Sequence, residues 1–410
     1  MIRFNNEDAG ASTEAFQRRA LERLKMIFKR VNNNLTKAKR AKNDEFYTQW
    51  HDIEKEISAY LEYNPNVFLN KTVLLPCDDP DWSNFTKYFA KNFERFGLKK
   101  LISTSFAYNS KTYKGGYQTT LSEIDNPQFD ETKTLNNGKI YTLLPDENGD
   151  HKVDIDDLKW RYLEGDGDFR SPEIKKLRDE SDIIITNPPF SPFREFLAWI
   201  VEADKHLVII GNKNCVTYKE VFPLIKDNKL WSGRTEWSGG MWFETKDQDD
   251  VDKVIDGVSM KNVSSMWLTN IDHGRRHQPL PLMTMTENLK YSKHKEIKGK
   301  NAYIVYDNYD AIEVPFTDAI PSDYDGIMGV PISFLDKYCP EQFEILGTSD
   351  NGLVDDKLKK TSGLTKEFVD DYYKSGGTGA YKEGNPTAGY YENNVAKMAY
   401  KRIFIKHNKK

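Results

Sequence analysis

A short apolar stretch near the middle of the chain runs into an amide, two prolines and an aromatic ring: Asn187, Pro188, Pro189 and Phe190. The side-chain oxygen of Asn187 and the carbonyl oxygen of Pro188 could accept hydrogen bonds from the two hydrogens of a planar amino group, and Pro189 restricts the backbone that presents them. Two such acceptors would draw the nitrogen toward tetrahedral geometry and make its lone pair available. Phe190 adds a face on which a nucleobase could stack. The tetrapeptide therefore predicts chemistry at an exocyclic amine or an amide nitrogen.

The elements that must hold this tetrapeptide alternate between strands and helices. Residues 182–186 are mostly apolar and β-branched, which predicts a central strand that ends at Asn187, because a proline cannot donate to a sheet ladder. A helix and a strand at 206–212 follow. Residues 71–106 predict an earlier strand, helix and strand, in which Asp79 caps the helix, Pro80 opens it and Gly97 ends it.

This alternation predicts an α/β fold with a doubly wound, mostly parallel sheet, and such sheets bind ligands at the carboxyl ends of their strands. Residues 241–245 and 264–272 indicate further strands that could close the sheet. Residues 138–155 indicate a hairpin turned at Asn148 and Gly149. From about residue 280 short strands and turns follow, with a Gly/Tyr-rich stretch at 372–391 that is either a mobile loop or a surface linker.

The charge distribution singles out the N-terminal region. The 410 residues carry a formal net charge of -4, so contact with a polyanion must come from local clusters. Between Arg18 and Lys42 there are ten Lys or Arg residues and one acidic residue, Glu22, on a stretch with helical spacing. This segment is either a solvated helix face or an arm that contacts phosphates.

Cysteine and apolar content exclude other classes. Three widely separated cysteines, Cys77, Cys215 and Cys339, make a disulfide framework improbable and favour a reducing compartment. No apolar run approaches the roughly 20 residues that span a bilayer, so we expect no membrane partner and a cytoplasmic location. His273 and His277 have a metal-like spacing without a third ligand nearby, and we predict no metal site.

The tetrapeptide resembles the catalytic motif of amino-group methyltransferases, which use S-adenosyl-L-methionine to methylate adenine N6, cytosine N4, guanine N2 or a glutamine amide. Two further stretches extend the resemblance. In the Gly-Asp-Phe string at 167–169, it implies that Asp168 accepts from the cofactor's adenine amino group and that Phe169 packs on the adenine ring. In KNDEFYTQ, it implies that Tyr47 and Thr48 lie at the cofactor, with Thr48 bonded to its methionine portion.

The stretch CDDPDWSNF (77–85), with DEFYTQ before it and YDGIMGVPISFLDKYCPEQFEILG (324–347) near the C-terminus, resembles the EcoRI-type adenine-specific DNA methylase family. The resemblance implies a Rossmann-like domain that binds S-adenosylmethionine, a target-recognition region and methylation of adenine N6 in double-stranded DNA. The target base would flip out of the duplex to reach the sheet. We accordingly predict three regions: a basic N-terminal helical arm (1–42), a catalytic domain (43–280) and a C-terminal α+β target-recognition region (281–410).

The first strand-helix turn departs from the general methyltransferase pattern. Pro76, Cys77, Asp78 and Asp79 stand where a Gly-rich loop is usual, and we assign them to the cofactor. Asp78 or Asp79 could also replace the acidic ribose partner that the second strand lacks. For DNA, we assign Arg275 and Arg276, because the loop after the predicted last strand should lie beside the Asn-Pro-Pro end of the sheet, although surface solubility would also explain these residues.

Alternative functions remain open at this point. RNA guanine-N2 and protein-glutamine methyltransferases carry similar Asn-Pro-Pro-aromatic strings. A methylase-like protein that binds DNA without catalysis is a third hypothesis. The sequence also leaves open whether a partner restriction endonuclease exists or the enzyme is an orphan.

Overall fold

The computed structural model describes residues 47–78, 83–107, 127–145, 153, 157–189, 191–245, 251–350 and 353–408. Several predictions lie outside these described residues, namely the basic arm 1–42, Asp79 with Pro80, the turn at Asn148 and Gly149, and the ring of Phe190.

The strands in the described residues are β1 (Tyr47–Thr48), β2 (Thr72–Leu75), β3 (Lys100–Ser105), β4 (Lys139–Leu143), β5 (Lys159–Tyr162), β6 (Ile183–Thr186), β7 (His206–Asn212), β8 (Trp231–Ser232), β9 (Met241–Glu244), β10 (Lys253–Ile255), β11 (Val258–Val263), β12 (Ser265–Thr269), β13 (Ile312–Glu313), β14 (Met328–Pro331), β15 (Phe343–Thr348), β16 (Gly389–Glu392), β17 (Val395–Met398) and β18 (Arg402–His407).

The α-helices are α1 (Trp50–Tyr63), α2 (Asn84–Lys91), α3 (Phe93–Phe96), α4 (Glu131–Asn136), α5 (Pro172–Glu180), α6 (Phe193–Val201), α7 (Phe222–Lys226), α8 (Met285–Tyr291) and α9 (Lys366–Lys374). Short 3-10 helices include Lys213–Thr217 and Gly274–His277. Within the described ranges, none of the helices has the length and apolar composition that crossing a membrane requires.

The main sheet is an eight-stranded mixed sheet with the order β5-β4-β3-β2-β6-β7-β12-β8. Its four central strands, β3, β2, β6 and β7, are parallel, whereas β4, β5 and β12 join through antiparallel pairings. The expectation of a mostly parallel sheet is therefore right for the centre and wrong for the flanks. Strands β2 and β6 are buried along their whole length, as expected for mostly apolar strands at the centre of a sheet.

Helices cover both faces of this sheet, because successive side chains of each strand point to opposite faces. Val73 and Leu75 of β2 belong to the buried cluster that contains α1, α2 and α3, whereas Leu74 belongs to the cluster that contains α5, α6 and α7. The second cluster also contains Phe343 and Ile405, so the C-terminal strands share a core with the main sheet. The domain boundary near residue 280 stays a prediction.

Three smaller sheets complete the described strands. One is antiparallel with the order β1-β9-β11-β10, so residues 241–245 do not close the main sheet as predicted, while β12 does. The C-terminal strands form a sheet in the order β13-β14-β18-β15, and β16 pairs with β17. The predicted hairpin exists as β4 and β5, but its second strand lies at Lys159–Tyr162, further along the chain than expected.

The helix after β2 begins later than predicted. Ser83 is its N-cap, with a side chain that accepts a hydrogen bond from the Phe85 N–H at 3.1 Å, so this helix does not begin at the predicted Asp79 and Pro80, which lie outside the described residues. Serine is as favourable at the N-cap position as aspartate, so the residue type did not distinguish Ser83 from Asp79. The predicted end is confirmed, since Gly97 closes α3 in the left-handed conformation (φ 62°).

Candidate active site

The described residues that we assigned to the amine and to the cofactor converge on one edge of the main sheet. The carboxyl ends of β2, β3, β6 and β7 meet there because these strands are parallel. Strand β4 runs antiparallel to β3, and β5 antiparallel to β4, so the loop that follows β5 and carries Asp168 returns to the same edge. We call this edge the site edge.

Asn187 leaves the site edge from a strand end that is tied to the neighbouring strand. Thr186, the last residue of β6, is buried, and its hydroxyl donates to the carbonyl oxygen of Pro76 at 2.8 Å. Pro188 is buried, whereas Asn187 and Pro189 are half-buried. This bond fixes the start of the Asn-Pro-Pro segment relative to the turn after β2. The sequence analysis did not assign a role to Thr186, although a hydroxyl side chain directly before Asn187 was an available signal.

The turn Pro76–Asp78 adopts the backbone of a glycine turn without a glycine. Cys77 has a φ of 69°, a left-handed conformation that costs a residue with a Cβ atom about 1 kcal/mol or more. The turn is held from both sides: Cys77 N–H donates to Thr104 at 3.4 Å, and Thr86 donates to the carbonyl oxygen of Asp78 at 3.0 Å. The missing Gly-rich loop is thus replaced by a turn with one strained residue.

The acidic side chain of this turn is also fixed. Asp78 is 6% exposed and accepts from the hydroxyl of Ser83 at 2.7 Å. Burial raises the pKa of the Cys77 thiol well above its usual range, and the carboxylates of Asp78 and Asp168 raise it further. The Gly-Asp-Phe loop lies beside the Pro76–Asp78 turn, because Gly167 packs against the end of β3 and the Cys77 N–H donates to Thr104 of the same strand. The thiol is neutral, and the two loops predicted to hold the cofactor are neighbours.

The Gly-Asp-Phe loop approaches the end of β3 too closely for a side chain at its glycine. Gly167 has a φ of 91°, and a Cβ atom there would lie 2.4 Å from the carbonyl oxygen of Ser105. The Ala107 N–H donates to the carbonyl oxygen of Asp166 at 2.8 Å and holds the loop in place. The glycine therefore sets the position of Asp168 at the site edge.

Asp168 is paired with an arginine that the sequence reading missed. Arg170 binds it through Nε (2.8 Å) and Nη2 (2.5 Å) and also reaches Glu195 at 3.3 Å. Burial would raise the pKa of Asp168, but the hydrogen bonds and charge of Arg170 outweigh burial and lower this pKa. Asp168 is consequently an ionised acceptor at neutral pH. The spacing Asp-x-Arg was the available signal.

Phe169 lies in the core. It is 3% exposed and makes edge contacts with Phe196 (centroids 5.1 Å apart) and Trp199 (5.7 Å) of α6. This packing fixes the loop on the helix, and the assigned contact with an adenine ring stays a prediction.

Strand β1 brings Thr48 to the site edge. Its carbonyl oxygen accepts from Asn84 at the start of α2 at 2.8 Å, and Tyr47 beside it is half-buried. Thr48 is 4% exposed, and its hydroxyl has no hydrogen-bond partner among the described residues. A buried hydroxyl without a partner is costly, so a ligand that bonds to it would remove a penalty. This observation fits the cofactor role assigned to Thr48.

Arg275 and Arg276 lie at the opposite edge of the sheet. Strand β12 runs antiparallel to β7, with Thr269 opposite Val208, so the residues after β12 lie away from Asn187. The expectation that this loop flanks the Asn-Pro-Pro segment is wrong, because it assumed a parallel last strand.

The contacts of the two arginines are internal. Arg275 binds Asp336 at 3.0 Å, and Arg276 stacks on Trp231 with its guanidinium 3.7 Å from the ring centroid and pairs with Asp272 at 3.2 Å. Arg276 is 7% exposed. These contacts favour a structural role for Arg276, and a DNA contact by Arg275 stays a prediction. No group of three or more His, Cys, Asp or Glu positioned for a metal occurs in the part of the chain that the structure describes.

Comparison with known proteins identifies the family of the chain. The family model for the adenine-specific methyltransferase EcoRI matches residues 34–408. The type II methyltransferase M.EcoRI of Escherichia coli is 42% identical over 322 residues, covering 77% of this chain and 89% of that protein. The type II methyltransferase M.MpnI of Mycoplasma pneumoniae is 32% identical over 342 residues, covering 82% and 92%. No solved structure matches the chain.

Proposed function

The chain belongs to the EcoRI family of adenine-specific methyltransferases, and from this premise we propose that it transfers a methyl group from S-adenosyl-L-methionine to adenine N6 in double-stranded DNA. The observation that carries the proposal is the bond between Thr186 and the carbonyl of Pro76, because it joins the Asn-Pro-Pro segment to the turn assigned to the cofactor. The segment that binds the adenine amino group and the turn that binds the methyl donor would then lie at the same edge of the main sheet.

Asn187 and Pro188 act on the adenine amino group in this mechanism. The amide oxygen and the proline carbonyl accept its two hydrogens, and the nitrogen lone pair is released from conjugation with the ring. S-adenosylmethionine supplies an electrophilic methyl group on a sulfonium sulfur. The N–C bond would form as the S–CH3 bond breaks, the neutral thioether S-adenosylhomocysteine would leave with the electron pair of that bond, and the amino nitrogen would lose its excess proton to solvent. Phe190 stacks on the base, and Pro189 keeps the carbonyl of Pro188 oriented.

The remaining assigned residues hold the cofactor. The hydroxyl of Thr48 offers the buried polar atom, with Tyr47 next to it in β1. Pro76, Cys77 and Asp78 supply a turn at the end of β2, and we assign Asp78 or the following Asp79 to a ribose hydroxyl. Asp168 accepts from the cofactor's adenine amino group, and Phe169 supports the loop that presents it.

DNA is the partner in this proposal, and the flipped adenine reaches Asn187 from the site edge. The region 281–410 reads the target sequence, and the basic arm 1–42 contacts phosphates. Since the relatives are named type II methyltransferases, a partner restriction endonuclease is the counterpart to look for. An orphan enzyme would lack one.

Incubation of the purified protein with tritiated S-adenosylmethionine and unmethylated DNA, followed by nucleoside analysis, tests the proposal. We expect label in N6-methyladenosine. Label confined to RNA or to protein would identify a guanine-N2 or glutamine methyltransferase instead, and absence of label with intact DNA binding would identify a non-catalytic protein. Sequencing of the modified bases then gives the target site.

A further inference from the structure

A small cationic cluster stands beside the strand end that carries Asn187. Arg194 is the second residue of α6, the helix that follows the Asn-Pro-Pro segment, and Tyr218 with Lys219 follows the 3-10 helix after β7. Strands β6 and β7 are paired in parallel, and neighbouring strands lie about 4.8 Å apart. Both loops therefore leave the site edge next to each other. We call Arg194, Tyr218 and Lys219 the Tyr218 cluster.

The guanidinium of Arg194 is oriented but not neutralised. Its central carbon lies 4.3 Å from the centroid of the Tyr218 ring, close enough for a cation-π contact. The side chain is 57% exposed, and the nearest carboxylate, that of Glu220, is half-exposed and 3.8 Å away. A pair with this separation and exposure contributes little to stability. The stacked guanidinium thus presents its donors to solvent in a fixed direction.

The surroundings of the Tyr218 cluster leave a net positive charge. Lys219 is exposed and has no ion pair with any residue that the structure describes. Asp350 approaches from the C-terminal region, but Lys401 binds it at 2.6 Å and also donates to Thr217 at 3.1 Å. Since Lys401 neutralises Asp350, the ion pair of the Tyr218 cluster with a carboxylate among the described residues is the one between Arg194 and Glu220.

We propose that Arg194 and Lys219 bind backbone phosphates of the target DNA strand beside the flipped adenine, with Tyr218 as the platform that orients Arg194. The inference rests on the proposed function, because it assumes that the duplex lies across the site edge. An arginine fixed by stacking loses less side-chain entropy when it binds a phosphate than a free lysine does. A phosphate held at this position keeps the strand in place while the base leaves the stack.

The salt dependence of DNA binding tests the proposal independently of methyl transfer. Binding of a fluorescently labelled duplex is measured over a range of salt concentrations. The duplex contains the target site found in the labelling experiment or, where no site is found, a mixed sequence. The slope of log K against log salt is negative, and each lost phosphate contact reduces its magnitude by about 0.9. We expect the double variant Arg194→Gln, Lys219→Gln to reduce the magnitude of the slope by roughly 2 and the affinity roughly tenfold or more. Arg194→Lys with Lys219 intact should keep the slope.

A matched control lies at the opposite edge. Arg95 is an exposed arginine over a phenylalanine ring, 5.7 Å from the centroid of Phe96, and Lys229 is exposed beside β8. The variant Arg95→Gln, Lys229→Gln removes the same charges and should leave the slope unchanged. An equal loss in both double variants, or a wild-type slope in the Tyr218 cluster variant, would overturn the proposal. Failure of the proposed function shows separately, as wild-type protein that transfers no label to DNA.

Discussion

Replacement of Thr186 by valine would test whether the tie between the Asn-Pro-Pro segment and the cofactor turn serves catalysis. Valine has nearly the same shape, so the change removes the 2.8 Å bond to the carbonyl oxygen of Pro76 and leaves that buried oxygen facing a methyl group. An unsatisfied buried acceptor costs about 1–3 kcal/mol. We expect the free energy of unfolding to fall by about this amount.

The same cost can be relieved in the folded state if the turn moves away from β6. At 1.4 kcal/mol for each factor of ten, a cost of about 1–3 kcal/mol lowers the population of the conformation in which the turn contacts β6 by roughly 5- to 150-fold. We therefore expect kcat/KM for methyl transfer to fall within this range. Urea unfolding followed by tryptophan fluorescence and steady-state methylation kinetics measure the two effects.

Thr269→Val provides the matched control. Thr269 is also buried, and its hydroxyl donates to the carbonyl oxygen of Leu207 at 2.8 Å, but it lies at the opposite end of its strand pairing from the site edge. The control should lose at least as much stability while it keeps wild-type kcat/KM. If both variants lose activity equally, or if Thr186→Val loses stability without activity, the tie has no catalytic role and the reasoning is refuted.

Three further outcomes are expected. Asn187→Ala should lower kcat by roughly 100-fold or more and leave DNA binding largely intact, as for loss of a transition-state acceptor, and equal losses of kcat and binding would contradict its role. Cys77→Gly should preserve or raise the free energy of unfolding, because glycine adopts a φ of 69° without strain, whereas Cys77→Val should lower it; urea titration distinguishes them. Burial lowers the pKa of His277, but its hydrogen bonds to Glu341 and Asp272 outweigh burial and raise this pKa above 6.5. Its contribution to stability is therefore full below about pH 6.5 and is lost as the pH rises through the higher folded-state value, so His277→Gln should flatten the stability profile over that window.

The sequence predicted the elements that are defined by local pattern. The apolar β-branched run of β6 and the helix end at Gly97 are confirmed because each depends on a few neighbouring residues. Placement of Asn187 at the carboxyl end of a central strand followed from the same reasoning, since a proline ends a ladder. These features needed no knowledge of distant contacts.

Features that depend on the direction of a distant strand could not be predicted from the sequence. Strand β12 has a suitable apolar pattern in either direction, and only its pairing with β7 shows that it is antiparallel. Because β12 is antiparallel, Arg275 and Arg276 lie at the edge opposite Asn187. Strand β9 likewise pairs with β1 rather than the main sheet, which positions Thr48 beside α2.

Charge pairing explains how a chain with a net charge of -4 can serve as a DNA methyltransferase. Several arginines are held by carboxylates within the fold: Arg170 by Asp168 (2.5 Å), Arg178 by Asp179 (2.7 Å), Arg275 by Asp336 (3.0 Å), Arg276 by Asp272 (3.2 Å) and Arg402 by Glu313 (2.5 Å). A paired arginine adds nothing to the field that a phosphate meets, so a count of charges in the sequence overstates both the acids and the bases available to DNA.

The charge that a phosphate meets at the site edge depends on the cations that have no partner or only a weak one. Among the described residues, Lys219 has no ion pair and Arg194 has only the 3.8 Å pair with the half-exposed Glu220, while Lys401 pairs with Asp350 at 2.6 Å. Exchange of Lys401 for glutamine should therefore weaken DNA binding through Asp350, even though Lys401 itself is engaged. The double change Lys401→Gln, Asp350→Asn restores the local charge balance and should recover the wild-type affinity, whereas a Lys401 that contacts phosphate directly would show no recovery.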